Sequence, residues 1–498
     1  MPGIKSLAKD TAIYGVSSII GRGLNWCLVP LYTACFPQAE YGVVTFVYAV
    51  VAVALIVLTY GMETGFFRFA NDDRGPGPMT VYSTSLLSLG FTSTLFVAVV
   101  ALFISPITRW MECDGHPSWV MIMAICVAGD AFLALPFSYL RYKKRPVRFA
   151  VIRLVNIGVN IGLNLFFILL CPWLMKVAPA TVGWFYDPGF GVGYIFLANL
   201  LATVVNFVMM IPELTGFAWR FNPDLLKRML RYSAPLLVLG VAGIMNQTIG
   251  TILFPTLGRD LPDPLAEIGI YGANYKIGVV MVMFIQAFRF AYEPFIFAKD
   301  KGEGQAHRLK AYSDAMKYFV LFALLIFMGV MFYLDIIKYF INPRYFSGLK
   351  VVPIVMMAEL FFGVFFNLSV WYKLTDKTIW GTWFSILGFL ITLVLNILLV
   401  PRYSYMGCAW AAFFSYGTMM VVSYLVGRRK YPIDYHVGRL MGYFAIAAVL
   451  YVVGMYCLTP WLTVNWIIRF FILAAYVAII ARREGIPLPG KLNRLTHR

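Results

Sequence analysis

The sequence predicts an all-α polytopic membrane protein with about fourteen transmembrane helices, and three observations support this fold class. Hydrophobic residues make up 61% of the 498-residue chain and charged residues only 13%, which leaves too little polar surface for a water-soluble globule. An aromatic content of 17% excludes a disordered chain. Apolar runs of about 20 residues recur along the whole sequence, a length that suits a spanning helix and exceeds a strand of a membrane β-barrel.

The limits of the individual spans are marked by the residues that interrupt these apolar runs. Charged residues, glycine and proline interrupt the apolar pattern, as at 74–78 and 299–302. The predicted spans are 11–34, 42–67, 81–105, 118–140, 150–171, 190–211, 233–255, 268–297, 316–338, 351–371, 379–400, 404–427, 440–459 and 462–481.

The distribution of basic residues predicts the orientation. When loops are assigned in turn to two sides, the side with the N-terminus receives 29 lysine and arginine residues and the other side receives 7. Basic residues concentrate on cytoplasmic loops, so both termini are predicted to be cytoplasmic. The net charge of +18 therefore indicates topology and attraction to anionic headgroups of membrane lipids. It does not indicate a nucleic-acid partner.

A basic connector and two short repeats suggest two halves of six spans. Tyr41-Gly42 recurs as Tyr271-Gly272, and the Phe-Arg-Phe-Ala motif of 67–70 recurs at 288–291. Many secondary transporters are built from such repeats. We expect an N-terminal lobe at 1–215, a basic cytoplasmic linker at 216–232, a C-terminal lobe at 233–430, and the last two spans with a cytoplasmic tail at 431–498.

Several catalytic chemistries lack their motifs. The sequence contains no GxxxxGK[ST], GxSxG or HExxH motif, and all four histidines lie in predicted loops. We therefore expect neither an enzyme nor a metal site. A polytopic glycosyltransferase or polymerase remains the alternative from another class, but no loop supplies a convincing set of catalytic groups.

Charged residues inside spans are the main candidates for function, since each costs about 2.5–3.5 kcal/mol at a helix centre. Arg22 lies near the middle of the first span and faces either an aqueous cavity or an acid elsewhere. Gln286, Arg289 and Glu293 share one face of span eight, although the arginine and glutamate could simply pair with each other. Lys276, nearer the outer end of that span, could snorkel.

Isolated acids form a second group of candidates. Glu63, Asp130 and Glu359 lie in spans two, four and ten. Desolvation favours the neutral form of a buried carboxyl, so these acids and Glu293 are candidates for coupling to H+ or Na+, or partners of the arginines. Arg68 lies at the predicted cytoplasmic boundary of span two, where a basic residue is ordinary.

Span five carries a polar row. Arg153, Asn156, Asn160 and Asn164 follow one another at helical spacing and fall on one face. Such a row faces either a neighbouring helix, as interhelical hydrogen bonds, or water. The arginine at its head favours an aqueous cavity.

Short motifs also follow one another over the first 300 residues. They are Tyr14-Gly15, Arg22, Pro30-Leu31-Tyr32-Thr33, Tyr41-Gly42, Gly61-Met62-Glu63-Thr64, Phe67-Arg68-Phe69, Arg148-Phe149, Ser233-Ala234-Pro235-Leu236, Gly269-Ile270-Tyr271-Gly272 and Phe288-Arg289 with Glu293-Pro294. Their order and spacing resemble the polysaccharide-biosynthesis (O-antigen, Wzx-type) flippases of lipid-linked oligosaccharides.

This resemblance implies the MOP superfamily, which includes MATE-type exporters and the lipid II flippase: two six-helix lobes that alternate in access around a central cavity. In the flippase branches, arginines of the first, second and eighth helices contact the diphosphate, which implies Arg22, Arg68 and Arg289 here. The segment Asn246-Gln247-Thr248-Ile249-Gly250 departs from the pattern, because an acidic and basic pair is expected after the asparagine. The implied location is the bacterial cytoplasmic (inner) membrane.

The resulting hypothesis is a flippase that moves an undecaprenyl-diphosphate-linked oligosaccharide from the cytoplasmic to the periplasmic leaflet, for surface polysaccharide such as O-antigen lipopolysaccharide. It uses no cofactor apart from possible H+ or Na+ coupling, and other polysaccharide assembly proteins are possible partners. A MATE-like drug/cation antiporter is the alternative, although buried arginines disfavour cationic substrates. The predicted diphosphate ligands are Arg22, Arg68, Arg153, Lys276 and Arg289. The predicted sugar contacts are Asn156, Asn160, Asn164 and Gln286.

Overall fold

The computed structural model describes residues 20–21, 23–72, 75–215, 219–299, 305–375, 377–456 and 459–485, and in 291, 293–299 and 305–307 it describes the backbone only. Most of these residues are helical, and no strand occurs among them. Residues 11–19 of the first predicted span, 11–34, and its Arg22 lie outside the described residues; the described part of this span contains most of the short helix α1 (Val29–Cys35).

Thirteen helices in the described part of the chain are long and apolar enough to cross a membrane, and they confirm the second to fourteenth predicted spans. They are α2 (Gln38–Ala70), α3 (Pro78–Leu102), α4 (Pro117–Tyr142), α5 (Pro146–Val177), α6 (Gly193–Leu214), α7 (Pro223–Leu257), α8 (Pro264–Lys299), α9 (Gln305–Phe332), α10 (Pro343–Leu374), α11 (Ile379–Tyr403), α12 (Tyr405–Lys430), α13 (Val437–Tyr456) and α14 (Leu462–Arg483). Short helices in the connections are Ile104–Trp110, Pro179–Val182, Pro188–Phe190, Leu334–Ile337 and Lys338–Phe340.

Helix α7 begins ten residues earlier than the sequence predicts. Asn222 caps it by accepting a hydrogen bond from the backbone N–H of Leu225 (3.0 Å), and Pro223 occupies the first turn, where its missing N–H is harmless. Leu225 and Met229 are fully buried. Residues 223–232, assigned from the sequence to the linker, are therefore the first turns of α7.

Helix α2 is broken in the last third of its length. Tyr60 and Gly61 both have left-handed backbone angles (φ of 32° and 70°), which separates the segment Gln38–Thr59 from Met62–Ala70. Glycine adopts such angles without a steric penalty, whereas tyrosine does not. The break redirects the last turns of α2, so that Met62 and Phe66 become fully buried. The break thereby sets the direction of Glu63 and Arg68, the charged residues of this last segment.

Helix α2 also joins the two halves of the molecule. Near its beginning it packs against α8, and near its end it packs against α7. Helix α2 ends, and α7 begins, at the same end of the molecule, which we call the linker end. We call the other end the opposite end. At the opposite end the helices cross closely, since a Cβ on Gly42 would overlap the carbonyl oxygen of Leu265 and one on Gly269 would overlap that of Gln38. Small residues allow such close approach of membrane helices.

Further contacts close the opposite end between the halves. The ring of Trp26 stacks on Phe340 at 3.9 Å. The side chain of Gln38 donates a hydrogen bond to the carbonyl oxygen of Arg344 (2.6 Å), and the hydroxyl of Tyr345 donates to that of Phe36 (3.1 Å). In this structure the halves are therefore joined at the opposite end by backbone, aromatic and hydrogen-bond contacts together.

Helix α14 docks on the α9 region through ionic contacts at both ends of the bundle, and α13 packs against both helices. At the opposite end, the buried Arg469 of α14 donates to the carboxylate of Asp335 (2.8 Å) and to the carbonyl oxygens of Phe332 (2.7 Å) and Gly454 (3.2 Å). At the linker end, Glu484 accepts from Lys317 (2.6 Å).

The carboxyl of Glu484 also accepts a hydrogen bond from Tyr443. Burial acts to raise the pKa of Glu484, but the hydrogen bonds from Lys317 and Tyr443 outweigh it, and the pKa is lowered below its usual value.

We expect Arg469→Met to weaken the docking of α14. The change leaves two carbonyl oxygens and a carboxylate without their donor, and a buried polar group left without a partner costs about 1–3 kcal/mol. The measurement is the thermal unfolding midpoint of the purified protein in detergent. Arg482→Met, at an exposed position of the same helix, serves as the control. Equal midpoints for the two variants would contradict the structural role of Arg469.

Candidate functional site

In the N-terminal half, the last turns of α2 form an ion pair with α4. The guanidinium of Arg141 donates to the carboxylate of Glu63 (2.8 Å), and the hydroxyl of Ser138 donates to the same oxygen (2.9 Å). Arg141 also lies over the ring of Phe67, 5.3 Å from its centroid. Glu63, a candidate acid from the sequence, is thus paired with Arg141, which lies just beyond the predicted end of span four.

Arg153 lies about two turns inside α5, against aromatic rings of the same half. Its guanidinium is 4.0 Å from the centroid of Phe137 and 5.7 Å from that of Phe149. No carboxylate of the described residues lies within ion-pair distance, although Asp130 is near enough to interact electrostatically. The carboxylate of Asp130 instead accepts a hydrogen bond from the hydroxyl of Thr203 (3.0 Å).

Arg68 lies where the two halves meet at the linker end. Its guanidinium stacks over the ring of Tyr232 in α7 at 4.4 Å, and Phe69 contacts the same ring edge-on. A cation on an aromatic face is held in position and keeps its hydrogen-bond donors available. Arg68 therefore has a defined position at the seam between the halves.

In the C-terminal half, two cations contact one aromatic ring. The guanidinium of Arg289 lies 4.3 Å from the centroid of Phe366, and the ammonium of Lys373 lies 4.5 Å from it. Lys373 and Phe366 are seven residues apart on α10, hence on one face of the helix. That spacing was the signal that could have identified Lys373 from the sequence.

The remaining predicted ligands have different surroundings. Lys276 is half-buried, and its carbonyl oxygen accepts a hydrogen bond from the indole of Trp26 (2.7 Å). Gln286 is also half-buried on α8. Glu293 lies in α8, but its side chain is outside the described residues, as is Arg22. The possible pairing of Arg289 with Glu293 therefore stays a prediction.

The asparagine row of α5 mainly contacts neighbouring helices, which corrects the interpretation that it faces a cavity. Asn160 and Asn164 are 7% and 0% exposed. In each contact an amide or hydroxyl donates across helices, so the row supplies interhelical hydrogen bonds. The contacts are Asn156 to the carbonyl of Ala202 (2.8 Å), Asn160 to the amide oxygen of Asn199 (3.0 Å), and Tyr32 to the amide oxygen of Asn164 (2.9 Å).

Asn246, the residue before the departure from the flippase pattern, is buried between helices of the C-terminal half. The amide oxygen of Asn246 accepts hydrogen bonds from the hydroxyls of Thr392 in α11 and Ser415 in α12 (3.2 Å for the second). The residue is 4% exposed. Neutral groups therefore hold α7 to the two helices that follow it in the C-terminal half.

Glu359 in α10 is the most enclosed of the predicted acids whose side chains are described. It is 6% exposed, and its carboxyl accepts a hydrogen bond from the hydroxyl of Tyr275 in α8 (2.8 Å). Tyr271 and Tyr416 also face it. None of the lysines, arginines and histidines in the described part of the chain forms an ion pair with it, unlike Glu63.

Taken together, the described side chains place an excess of cations in the linker-end half of the spans. Arg153 lies about 10 Å from the start of α5 and Arg289 about 15 Å from the end of α8, at 1.5 Å per residue. Arginines held on aromatic faces are suited to bind phosphate oxygens in pairs. No cluster of three His, Cys, Asp or Glu residues that could bind a metal occurs in the described ranges.

The fold is similar to that of solved transporters of the MOP superfamily. It is similar to the lipid II flippase MurJ in an inward closed conformation (TM-score 0.72, 13% identity, 94% of this chain and 99% of that chain covered). It is also similar to an inward-facing MATE family multidrug resistance transporter (TM-score 0.66, 14% identity, 87% and 99% covered). A MOP superfamily transporter from Pyrococcus furiosus is more distant (TM-score 0.51, 14% identity, 85% and 95% covered).

At these identities the likeness shows the fold alone. The sequence itself defines the family: residues 7–297, more than half of the chain, match the family described as polysaccharide biosynthesis protein, and the chain belongs to it. No curated protein sequence matches the chain significantly.

Proposed function

We propose that this protein is a flippase that moves an undecaprenyl-diphosphate-linked oligosaccharide between membrane leaflets for surface polysaccharide assembly. The observation that carries the proposal is the placement of Arg153 and Arg289, one in each half, inside spans and against aromatic rings. Both residues are exposed although they lie within spans. An arginine in contact with lipid tails would be costly, so we infer that both face an aqueous space between the halves.

A diphosphate is the group that fits such a pair. It carries negative charge on several oxygens, so one phosphate can contact Arg153 and the other Arg289, with Arg68 and Lys373 nearer the linker end. The lipid tail stays in the bilayer, and the sugars extend into the aqueous space. Gln286, the proposed sugar contact on α8, lies three residues before Arg289. A cationic drug would meet the same arginines at a cost, which disfavours the antiporter.

Alternating access supplies the transport step in this proposal. The linker end is the cytoplasmic end by the distribution of basic residues, and the substrate enters there while the contacts around Gly42 and Gly269 close the opposite end. Parting of those contacts releases the substrate to the periplasmic leaflet. The protein is then an integral component of the bacterial inner membrane with both termini cytoplasmic.

We expect Arg153→Gln and Arg289→Gln each to weaken binding of undecaprenyl diphosphate by about tenfold or more, because a hydrogen bond to a charged group contributes roughly 1.5–3 kcal/mol. The measurement is the dissociation constant of the purified protein in lipid nanodiscs. Arg259→Gln, in the connection between α7 and α8 at the opposite end, is the control of equal charge. Unchanged affinity in both variants would refute the assignment of the diphosphate site.

A further inference from the structure

Two adjoining cavities lie where α13 docks on the C-terminal half. The first, of about 460 Å³, opens at the linker end, where charged side chains such as Lys310 and Arg439 line it beside apolar ones. The second, of about 610 Å³, continues inward between α9, α10, α12 and α13 and is lined only by apolar surface. Tyr435 and Leu440 line both cavities, so the polar mouth leads directly into the apolar chamber. None of the described side chains of α2, α7 and α8, the helices that join the halves, lines either cavity.

A buried hydroxyl marks the junction of the two cavities. Tyr435 is 8% exposed, and its hydroxyl has no hydrogen-bond partner among the described residues. Its loop is fixed by the hydroxyl of Ser313 in α9, which donates to the carbonyl oxygen of Asp434. Leaving a buried hydroxyl without a hydrogen-bond partner is unfavourable. The position of this donor therefore points to a ligand oxygen at the junction.

The charges of the mouth favour an anionic ligand. Two nearby acids, Asp314 of α9 and Glu484 at the end of α14, are already paired with Lys317 (3.1 Å and 2.6 Å). The carboxylate of Asp434 is close to the ring of His436 (3.3 Å). By contrast, Lys310 and Arg439 are exposed and form no ion pair with the described residues. Three further basic residues end α12 nearby in the chain, at 428–430.

We propose that the two cavities form a binding site for an anionic phospholipid from the leaflet at the linker end. The phosphate lies between Lys310 and Arg439, an ester or glycerol oxygen accepts the hydrogen bond of Tyr435, and one acyl chain fills the apolar chamber. Basic pockets between transmembrane helices bind anionic headgroups in this way. The chamber is within the range of about 300–1,000 Å³ for a small-molecule site.

The occupant is a phospholipid and not the lipid tail of a transported substrate for two reasons. The rim of the chamber contains Val421 and Met441, which are 49% and 61% exposed, so the chamber opens toward the lipid around the C-terminal half. Its volume suits one acyl chain, and an undecaprenyl chain is several times longer. A bound phospholipid bridges α9, α10, α12 and α13 and thereby holds α13 against the C-terminal half.

The test is native mass spectrometry of the full-length protein in detergent with added phosphatidylglycerol or phosphatidylcholine of the same acyl chains. We expect phosphatidylglycerol to bind more tightly, and the combined Lys310→Gln and Arg439→Gln changes to weaken it by about tenfold or more. The combined Lys227→Gln and Arg228→Gln changes at the start of α7 remove equal charge outside the site and are expected to have no effect.

The apolar chamber is tested separately. Val421→Trp fills its rim and is expected to reduce binding of both lipids at this site, whereas Val394→Trp on α11, at a position of similar exposure (52%), is the matched control. Equal binding of the two lipids to the unmodified protein would overturn the proposal, as would wild-type binding in both site variants. Displacement of phosphatidylglycerol by undecaprenyl phosphate at equal concentration would also overturn it, because the chamber would then belong to the substrate's lipid tail.

Discussion

Replacement of Gly42 by alanine is expected to abolish transport while the protein remains folded in the membrane. The added methyl group would overlap the carbonyl oxygen of Leu265. Backbone atoms cannot move aside as a flexible side chain can, so α2 and α8 must separate at the opposite end. Gly269→Ala is expected to act in the same way, because its methyl group would overlap the carbonyl oxygen of Gln38.

The size of this effect follows from the cost of overpacking. An extra methyl group in a closely packed contact costs about 1–3 kcal/mol, which changes a two-state equilibrium by roughly 5–150-fold. Only the conformation that is closed at the opposite end contains the contact, so the change favours the conformation that is open there. A transporter held in one conformation cannot complete its cycle.

Distance measurements between spin labels detect the shift directly. Labels on Gln38→Cys and Arg344→Cys, in a background without the seven native cysteines, report the separation of the halves where these residues are hydrogen-bonded. We expect Gly42→Ala to lengthen this distance and to reduce surface polysaccharide in cells. Gly158→Ala, at a position of α5 with open space around it, is the control. An unchanged distance in Gly42→Ala would mean that the crossing does not govern the closure.

The spans could be predicted from the sequence because the information that defines them is local. A run of apolar residues between charged boundaries forms a helix in a membrane whatever lies beside it, since its backbone hydrogen bonds are internal to the segment. Helix ends depend on single side chains, and here the sequence was less informative. The cap by Asn222 and the burial of Leu225 extend α7 into residues assigned to a linker.

The arrangement of the candidate site could be predicted only in part, because its contacts join distant segments. Arg153 and Arg289 were found from the cost of burying a charge, which the sequence does show. The partner of Glu63 was not found, since Arg141 lies 78 residues away in a basic stretch that orientation alone explained. For the asparagines of α5, the periodicity showed that they share one face of the helix. It did not show whether that face contacts α6 or water, because this depends on how the helices pack.

Removal of the carboxyl of Glu359 is expected to uncouple transport from a proton gradient. This carboxyl is enclosed by the hydroxyls of Tyr275 and Tyr271 in α8 and Tyr416 in α12, with no ion pair to a described basic residue. Glu63, by contrast, forms an ion pair with Arg141. A carboxyl without a counter-charge is the one whose protonation changes most between a buried and a hydrated conformation. We therefore propose Glu359 as the site of H+ coupling.

The link to transport runs through the hydrogen bond between Tyr275 and Glu359. It joins α10 to α8, and α8 carries both Arg289 and the glycine crossing with α2. A protonated carboxyl is a weaker acceptor for the tyrosine hydroxyl than a carboxylate, so protonation loosens the contact between the two helices. Movement of α8 relative to α10 would then alter the proposed diphosphate site and the closure at the opposite end together.

We expect Glu359→Gln to remove the acceleration of flipping by an imposed pH gradient, which for a typical coupling amounts to about 5–150-fold. The measurement is transport of a fluorescent lipid-linked oligosaccharide in proteoliposomes, with and without the gradient.

Glu359→Asp keeps the titratable group and should retain part of the response, while Tyr275→Phe should weaken it. Glu112→Gln is the control, since it makes the same change at an exposed carboxyl in the connection between α3 and α4, away from α8 and α10. Full proton dependence in Glu359→Gln, or wild-type transport driven by Na+ alone, would exclude Glu359 as the coupling group. The neutral glutamine still accepts the hydrogen bond of Tyr275, so a loss of coupling in a correctly folded variant reports the missing proton and not a missing contact.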